Sequence, residues 1–234
     1  SSAASDVYKR QKLSIGLLNA ITGEANAIIR NIEDGSTRKQ IIAPLTNYNV
    51  VSLTQQLLND YSSVGVHNTN VNRSNGGFNA NNTAFITELY DNGRNFSFST
   101  RTYFSDAPRY SSRRGFRGSV DISELRGNFR YSIGWFGTDK YYNQNELGYY
   151  NQQNSQRLYG RVRYQILNEF KSLRTYSNYL FFGETKRYDT FKKVYNGWRF
   201  GNNFEFKNLQ KFSIDFDYTG CLLYTSPSPR DPKI

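Results

Sequence analysis

The sequence predicts an all-β fold, an antiparallel meander that forms part of a transmembrane β-barrel, with about ten strands and long polar loops. Three observations predict it. Segment after segment alternates with a strict period of two: Leu158, Gly160, Val162, Tyr164 and Ile166 against Tyr159, Arg161, Arg163 and Gln165, then Phe212, Ile214, Phe216 and Tyr218 against Ser213, Asp215 and Asp217. Such a strand has one oily and one wet face. Aromatic residues make up 16% of the chain, with 19 Tyr and 17 Phe, yet hydrophobic residues reach only 37% and the mean hydropathy is -0.72. A water-soluble core of this length ordinarily draws on more Leu, Ile, Val and Ala. Finally, no apolar run approaches the roughly eighteen residues that a transmembrane helix requires.

The elements follow in order. Leu13 to Ile29 reads as two strands, because Gly16 and Gly23 each cost a helix about 1 kcal/mol relative to Ala. Glu33-Asp34-Gly35-Ser36-Thr37 is a polar loop, and Pro44 to Arg73 then reads as a hairpin that reverses at Leu58-Asn59-Asp60-Tyr61. Asn72 to Asn82 is a Gly/Asn loop before a strand over Thr83 to Tyr90. Asp91-Asn92-Gly93 predicts a tight turn in which Asn-Gly takes the positive φ. Phe96 to Tyr103 completes that hairpin, and Asp106 to Arg114 is a loop. Val120 and Ile122 mark the next strand, followed by a turn at Arg126-Gly127-Asn128 and a strand in which Phe129, Tyr131, Ile133 and Trp135 share a face. Thr138 to Gln156 is too polar to cross a membrane, while Thr175 to Glu184 and Gly197 to Phe206 are less regular strands. An open sheet of this size leaves unpaired edges, each orphan group costing several kcal/mol in lipid, and closure into a barrel removes them. The soluble alternative is a β-sandwich or a repetitive sheet.

Both ends are set apart. SDVYKRQ (Ser5 to Gln11) and CLLYTS (Cys221 to Ser226) can be back-translated into the two strands of a single oligonucleotide, as a sequencing adapter flanking an insert would be. Residues 1–11 and 221–234 are therefore expected to be translated adapter, as met in metagenomic assemblies, and residues 12–220 the natural barrel fragment. On that expectation the natural part has no cysteine, and a barrel cut at both ends is not expected to insert alone. The formal net charge of +11 stays basic without the two ends. Its charges are scattered among aromatics rather than gathered in a stripe, which argues against nucleic acid as a partner.

Two sets of strings carry a family resemblance. PLTNYNV, opening with Pro44, Leu45, Thr46, Asn47 and Tyr48, is followed by NDYSSV and NTNVNR. Further on, GFRGSVDISELRGNFRYSIGWFG leads into YNQNELGYYNQQN, containing Asn145, Glu146, Leu147 and Gly148. Together they resemble the outer-membrane β-barrel domain of unknown function found in Bacteroidota after a family-nine-like carbohydrate-binding domain. The second string departs from that family's Asn-Asp-Leu-Gly-Phe-Leu with Glu146, Tyr149 and Tyr150. The resemblance implies a Gram-negative outer-membrane location, contact with outer-membrane lipid, and an upstream carbohydrate-binding module, hence glycan as a partner. The hydrolase label sometimes given to the family attaches to that module, and no catalytic residue carries over.

Candidate sites are few. Arg161, Arg163, Asp215 and Asp217 fall on wet faces and are expected to face a lumen. The two aspartates are either an acid/base pair or an acidic wall, and the arginines either set a charge preference or pair with lumen acids. Tyr131, Trp135, Trp198 and Tyr218 are candidates for an interfacial aromatic girdle, their soluble counterpart being core packing. His67 has no partner His or Cys, so no metal site is expected. Arg113, Arg114 and Arg117 beside Tyr110 suit lipopolysaccharide phosphates or another anion, or form a solvated loop. Glu146-Leu147-Gly148 can present amides to a glycan. No phosphate-binding, nucleophile-elbow or zinc motif occurs, and no catalytic residue or cofactor is expected. The functional expectation is an outer-membrane β-barrel fragment, glycan- or nutrient-associated at the cell surface. The alternatives are a membrane-associated glycan hydrolase and a soluble β-rich carbohydrate-binding module.

Overall fold

The computed structural model describes residues 2–10, 12–75, 77–145 and 154–221, with side chains between 12 and 220. Among them are fourteen strands: β1 (Ser2–Arg10), β2 (Leu13–Thr22), β3 (Ala25–Arg30), β4 (Thr37–Ala43), β5 (Thr46–Gln56), β6 (Ser63–Arg73), β7 (Ala80–Tyr90), β8 (Phe96–Asp106), β9 (Gly115–Glu124), β10 (Phe129–Thr138), β11 (Ser155–Ile166), β12 (Leu173–Arg187), β13 (Lys193–Phe206) and β14 (Lys211–Cys221). Twelve form one antiparallel meander in the order β1-β2-β5-β6-β7-β8-β9-β10-β11-β12-β13-β14, with β1 and β14 at its edges, and β3 pairs with β4 alone. The expected all-β meander is the observed one. Against the expected strand number of about ten over residues 12–220, the main sheet has eleven strands in that range, with β1 added from the segment set apart above, and the separate β3-β4 pair includes β4, which lies in a stretch without clear alternation. An unpaired sheet edge accepts any extended segment, so the pairing of β1 carries no information on its origin.

The connections differ at the two ends of the sheet. Those over residues 11–12, 57–62, 91–95, 125–128, 167–172 and 207–210 are short. The three longest, over 23–45, 107–114 and 139–154, all lie at the opposite end. Each short connection contains one residue in the left-handed region: Lys12, Leu58, Arg94, Gly127, Lys171 and Leu209, with φ between 51° and 87°. A left-handed residue lets a tight reversal match the twist of its strands.

In the 91–95 turn that residue is Arg94 at φ 54°, not Asn92 or Gly93 as the Asn-Gly pair predicts. The reason is Asp91. Its carboxylate accepts the Phe96 N–H at 2.6 Å, the Asn95 amide at 2.9 Å and the Gly93 N–H at 3.2 Å. The Arg94 N–H donates to the Asp91 carbonyl at 2.9 Å, so the first turn closes over residues 91–94 and the reversal is completed one residue later. The Phe96 amide above all holds the Asp91 carboxyl below its ordinary value. A depressed folded value means that this contribution is complete above the unfolded Asp value of about 4 and fades as pH falls through the lower folded value. Protection of the Phe96 amide, its exchange measured against the intrinsic rate at the same pH, should therefore fall on acidification below about pH 4, and Asp91→Asn should remove that acid dependence of the protection. Protection in the unmodified protein that does not change with acid would contradict it.

Candidate functional site

Residues directly opposite in antiparallel strands share a face, so register can be followed across the sheet. One row runs Leu89, Phe98, Ile122, Ile133, Gly160, Phe182, Trp198, Tyr218 from β7 to β14. The row beside it runs Glu88, Ser99, Asp121, Gly134, Tyr159, Gly183, Gly197, Thr219 on the other face. The sheet thus has one apolar and one polar side. Nothing among the described residues covers the apolar side: Phe85, Ile122, Ile133, Leu158, Phe182 and Phe216 are each 47–56% exposed. Among the described residues the buried hydrophobic ones are only Val71, Ala80, Ala84, Ala107 and Tyr142.

The apolar face is banded. Phe104, Phe116 and Tyr188 follow one another at 5.7 and 6.3 Å, and Trp198 stacks on Tyr218 at 6.2 Å, toward the end with the longest loops. Tyr176, Phe204 and Phe212 form a second chain at 5.1 and 6.2 Å toward the short-turn end. Aliphatic side chains such as Val120, Ile133, Val162 and Leu180 lie between. Trp135 and Phe129, in opposite bands of β10, are six residues apart, or roughly 20 Å at about 3.3 Å per residue. Beyond the aromatic band at the long-loop end, Asn19, Asn49, Asn70 and Asn81 occupy one row. Asn19 donates to Asn47 at 2.6 Å and to Asn49 at 2.7 Å, and Asn68 donates to Thr83 at 2.8 Å. The Thr46-Asn47-Tyr48 string supplies part of this amide ladder.

The polar face carries an arginine-rich cleft of about 500 Å³, whose lining includes Arg157, Arg161, Arg163, Phe181, Arg199 and Asp217. The row Ser132, Arg161, Phe181, Arg199, Asp217 crosses it, and the next row is Arg130, Arg163, Tyr179, Gly201, Asp215. Arg199 is ion-paired with Asp217, and the Tyr179 hydroxyl donates to Asp215 at 2.8 Å. Arg157 lies 5.2 Å from the Phe181 ring centre and 5.9 Å from that of Tyr195.

On the same face, residues 139–145 fold inward. Asp139 turns the chain by accepting the Tyr141, Tyr142 and Phe116 amides at 2.7–2.9 Å. Tyr142 is fully buried, its hydroxyl accepting from Asn82 at 3.3 Å and donating to Gln144 at 2.8 Å. The Asn143 N–H donates to Ser105 Oγ at 2.9 Å. Gly115 makes room for this, since a Cβ there would stand 2.5 Å from the Tyr141 carbonyl carbon. Nearby, Ser52 Oγ lies 2.8 Å from His67 Nδ1. That is a nucleophile–base spacing, but among the described residues no third group orients the ring, and no pair of amides converges on the serine.

A family described as a domain of unknown function, DUF5916, matches residues 8–230. The chain belongs to this family. No curated protein and no solved structure matches it.

In this DUF5916 domain the four residues expected to face a lumen, Arg161, Arg163, Asp215 and Asp217, do share one face and one corner of the sheet. Both aspartates are engaged by neighbours, Tyr179 and Arg199, rather than by each other. Tyr131, Trp135, Trp198 and Tyr218 all fall on the apolar face, Tyr131 toward the short-turn end and the other three toward the opposite end. Arg113 donates to the Tyr141 hydroxyl at 2.9 Å and Arg114 pairs with Asp106 at 3.6 Å, so these basic residues tie loops 107–114 and 139–145 to each other and to the sheet. Of the second motif, Asn145 donates its N–H to Asn143 Oδ1 at 2.8 Å, whereas Glu146, Leu147 and Gly148 lie outside the described residues. Sequence reasoning missed Arg157, Tyr179, Phe181 and Arg199 as members of the cleft. Arg157 continues the β11 alternation and was findable. The other three depend on a register that only the fold supplies. Among the described residues no three His, Cys, Asp or Glu side chains cluster as metal ligands would.

Proposed function

We propose that this domain forms the wall of an outer-membrane β-barrel in a Gram-negative bacterium, with its apolar face on lipid, its polar face on water, and a glycan- or nutrient-associated role at the cell surface. One observation carries the reading: about twenty large apolar side chains on one side of a single sheet, each roughly half exposed. Covering them is worth on the order of 15–30 kcal/mol, more than the roughly 5–15 kcal/mol total stability of an ordinary domain. The accessible surface of 16363 Å² also exceeds the roughly 11,000 Å² expected of a compact soluble protein of 27.1 kDa. Lipid supplies the missing cover. The aromatic bands with an aliphatic zone between them, short turns at one end and the longest loops at the other, match the layout of transmembrane barrels. The inward-folded 139–145 segment then narrows the aqueous side. The glycan association rests on the family resemblance and on the aromatic and arginine lining of the cleft.

A soluble carbohydrate-binding module would need a second layer over the apolar face. A hydrolase would need a group to orient His67 or a free pair of carboxylates. The test is fractionation of the full-length protein. It should remain in the outer membrane after an alkaline carbonate wash and migrate faster in gels when unheated than when boiled. A protein released without detergent, with mobility independent of heating, would contradict the proposal.

A further inference from the structure

The cleft on the polar face has a charge imbalance that its own acids do not relieve. Arg157, Arg161 and Arg163 stand on one face of β11. Asp217 is occupied by Arg199 and Asp215 by the Tyr179 hydroxyl, and among the described residues no carboxylate pairs with the three β11 arginines. Arg157 Nε is buried without a hydrogen-bond partner. That guanidinium is fixed by packing: it sits over Phe181 and Tyr195, and a Cβ on Gly183 would lie 2.9 Å from Arg157 Nη2. Arg161 lies 5.8 Å from the centre of the Phe181 ring. Arg157 to Arg163 spans roughly 20 Å along the strand, and Arg199 is two strands from Arg161, about 10 Å across. The result is an extended, shallow, cationic surface with flat rings between its charges. A single small anion would use only one corner of it.

Guanidinium forks suit planar or tetrahedral oxyanions, which they grip in two places. The spacing of the forks along β11 suits acid groups repeated along a chain, and the glycan association proposed above makes that chain a saccharide. We propose that the cleft formed by Arg157, Arg161, Arg163 and Arg199 with Phe181 and Tyr195 binds an extended oligosaccharide bearing repeated acid groups, carboxylate or sulfate. The acid groups meet the arginines, the sugar rings span the distances between them, and Phe181 and Tyr195 hold the guanidinium groups in place. The inference rests on the reading of the polar face as the aqueous side of a barrel wall.

The test uses the full-length protein in detergent, with heat-dependent gel mobility recorded on the same preparation. Calorimetry compares a galacturonic-acid oligomer of about six residues, a sulfated oligomer, a neutral oligomer of equal length and inorganic phosphate. The acidic oligomers should bind about 100-fold more tightly than the neutral one, and Arg161→Gln/Arg163→Gln should abolish most of that preference. A preference for only one acidic oligomer identifies the acid group and upholds the site. Equal binding of neutral and acidic oligomers, phosphate binding as tight as that of the oligomers, or an unchanged preference in the double variant would each overturn it. If the double variant does not fold, the comparison of acidic with neutral oligomer on the unmodified protein decides alone. Loss of heat-dependent mobility with the acid preference intact would overturn the barrel reading and keep the site. The reverse pattern would overturn the site and keep the barrel.

Discussion

Replacing Ile133 with Arg is expected to destabilise the membrane-inserted protein by about 2–4 kcal/mol, the cost of a basic side chain near the bilayer midplane on the outer face of a barrel. Ile133 is 53% exposed and lies in the middle of β10, in the row that joins Ile122 to Gly160 and Phe182. Were that face in water, the same substitution would change stability by no more than about 0.5 kcal/mol, as ordinary surface changes do. Denaturant unfolding from lipid vesicles measures the difference. Ser132→Gln, one residue away on the polar face, is the control and should stay within about 0.5 kcal/mol. Equal, small effects at both positions would remove lipid from the apolar side.

The second large effect concerns a glycine that a tyrosine crosses. Tyr159 lies over Gly134 and gives its hydroxyl to Asp121, which sits two strands away in the same row. A Cβ on Gly134 would stand 2.5 Å from Tyr159 Cζ, inside any tolerable contact. The arrangement recurs at Gly201, crossed by Tyr179 on its way to Asp215, where the added Cβ would stand 2.5 Å from Tyr179 Cε1. Glycine covered by a cross-strand ring pins register in a curved sheet. Gly134→Ala should cost about 1–3 kcal/mol as overpacking. In a Tyr159→Ala background the ring is gone and the Asp121 carboxylate, the other group such a Cβ would meet, loses the hydroxyl that holds it and can turn away, so the same change should cost much less, a coupling of at least about 1 kcal/mol in the double-mutant cycle. Additive effects would show that the ring does not depend on the glycine.

Much of this architecture is legible in the residues. The alternation over Phe129 to Trp135 and Leu158 to Ile166 assigns each side chain to a face, because a strand's period of two leaves no freedom. Punctuation at Leu58-Asn59-Asp60-Tyr61 and Arg126-Gly127-Asn128 places the reversals, since the side chains there favour turns. What fails is what depends on partners. Asn92-Gly93 looks like the left-handed site, but three hydrogen bonds to the Asp91 carboxylate move it to Arg94. The stretch Thr37 to Ala43 shows no alternation because both its faces are exposed, and β4 escapes notice for that reason. Arg161 and Arg163 are visible as wet-face residues, yet their neighbours Phe181 and Arg199 come from β12 and β13, at positions fixed by register. The inward fold of Tyr142 onto Asn82, Ser105 and Gly115 reads in sequence as one more polar loop.

The central claim is that one face of the sheet meets lipid and the other water. Its most direct test is a nitroxide scan along β11 of the full-length protein in bilayers, one label at a time from Leu158 to Tyr164. Accessibility to oxygen and to a water-soluble nickel complex is read at each position. Leu158, Gly160, Val162 and Tyr164 should favour oxygen, and Tyr159, Arg161 and Arg163 the nickel complex, in strict antiphase. Labels at 158, 160, 162 and 164 that are open to the nickel complex, or shielded from both reagents by a second protein layer, would contradict the account.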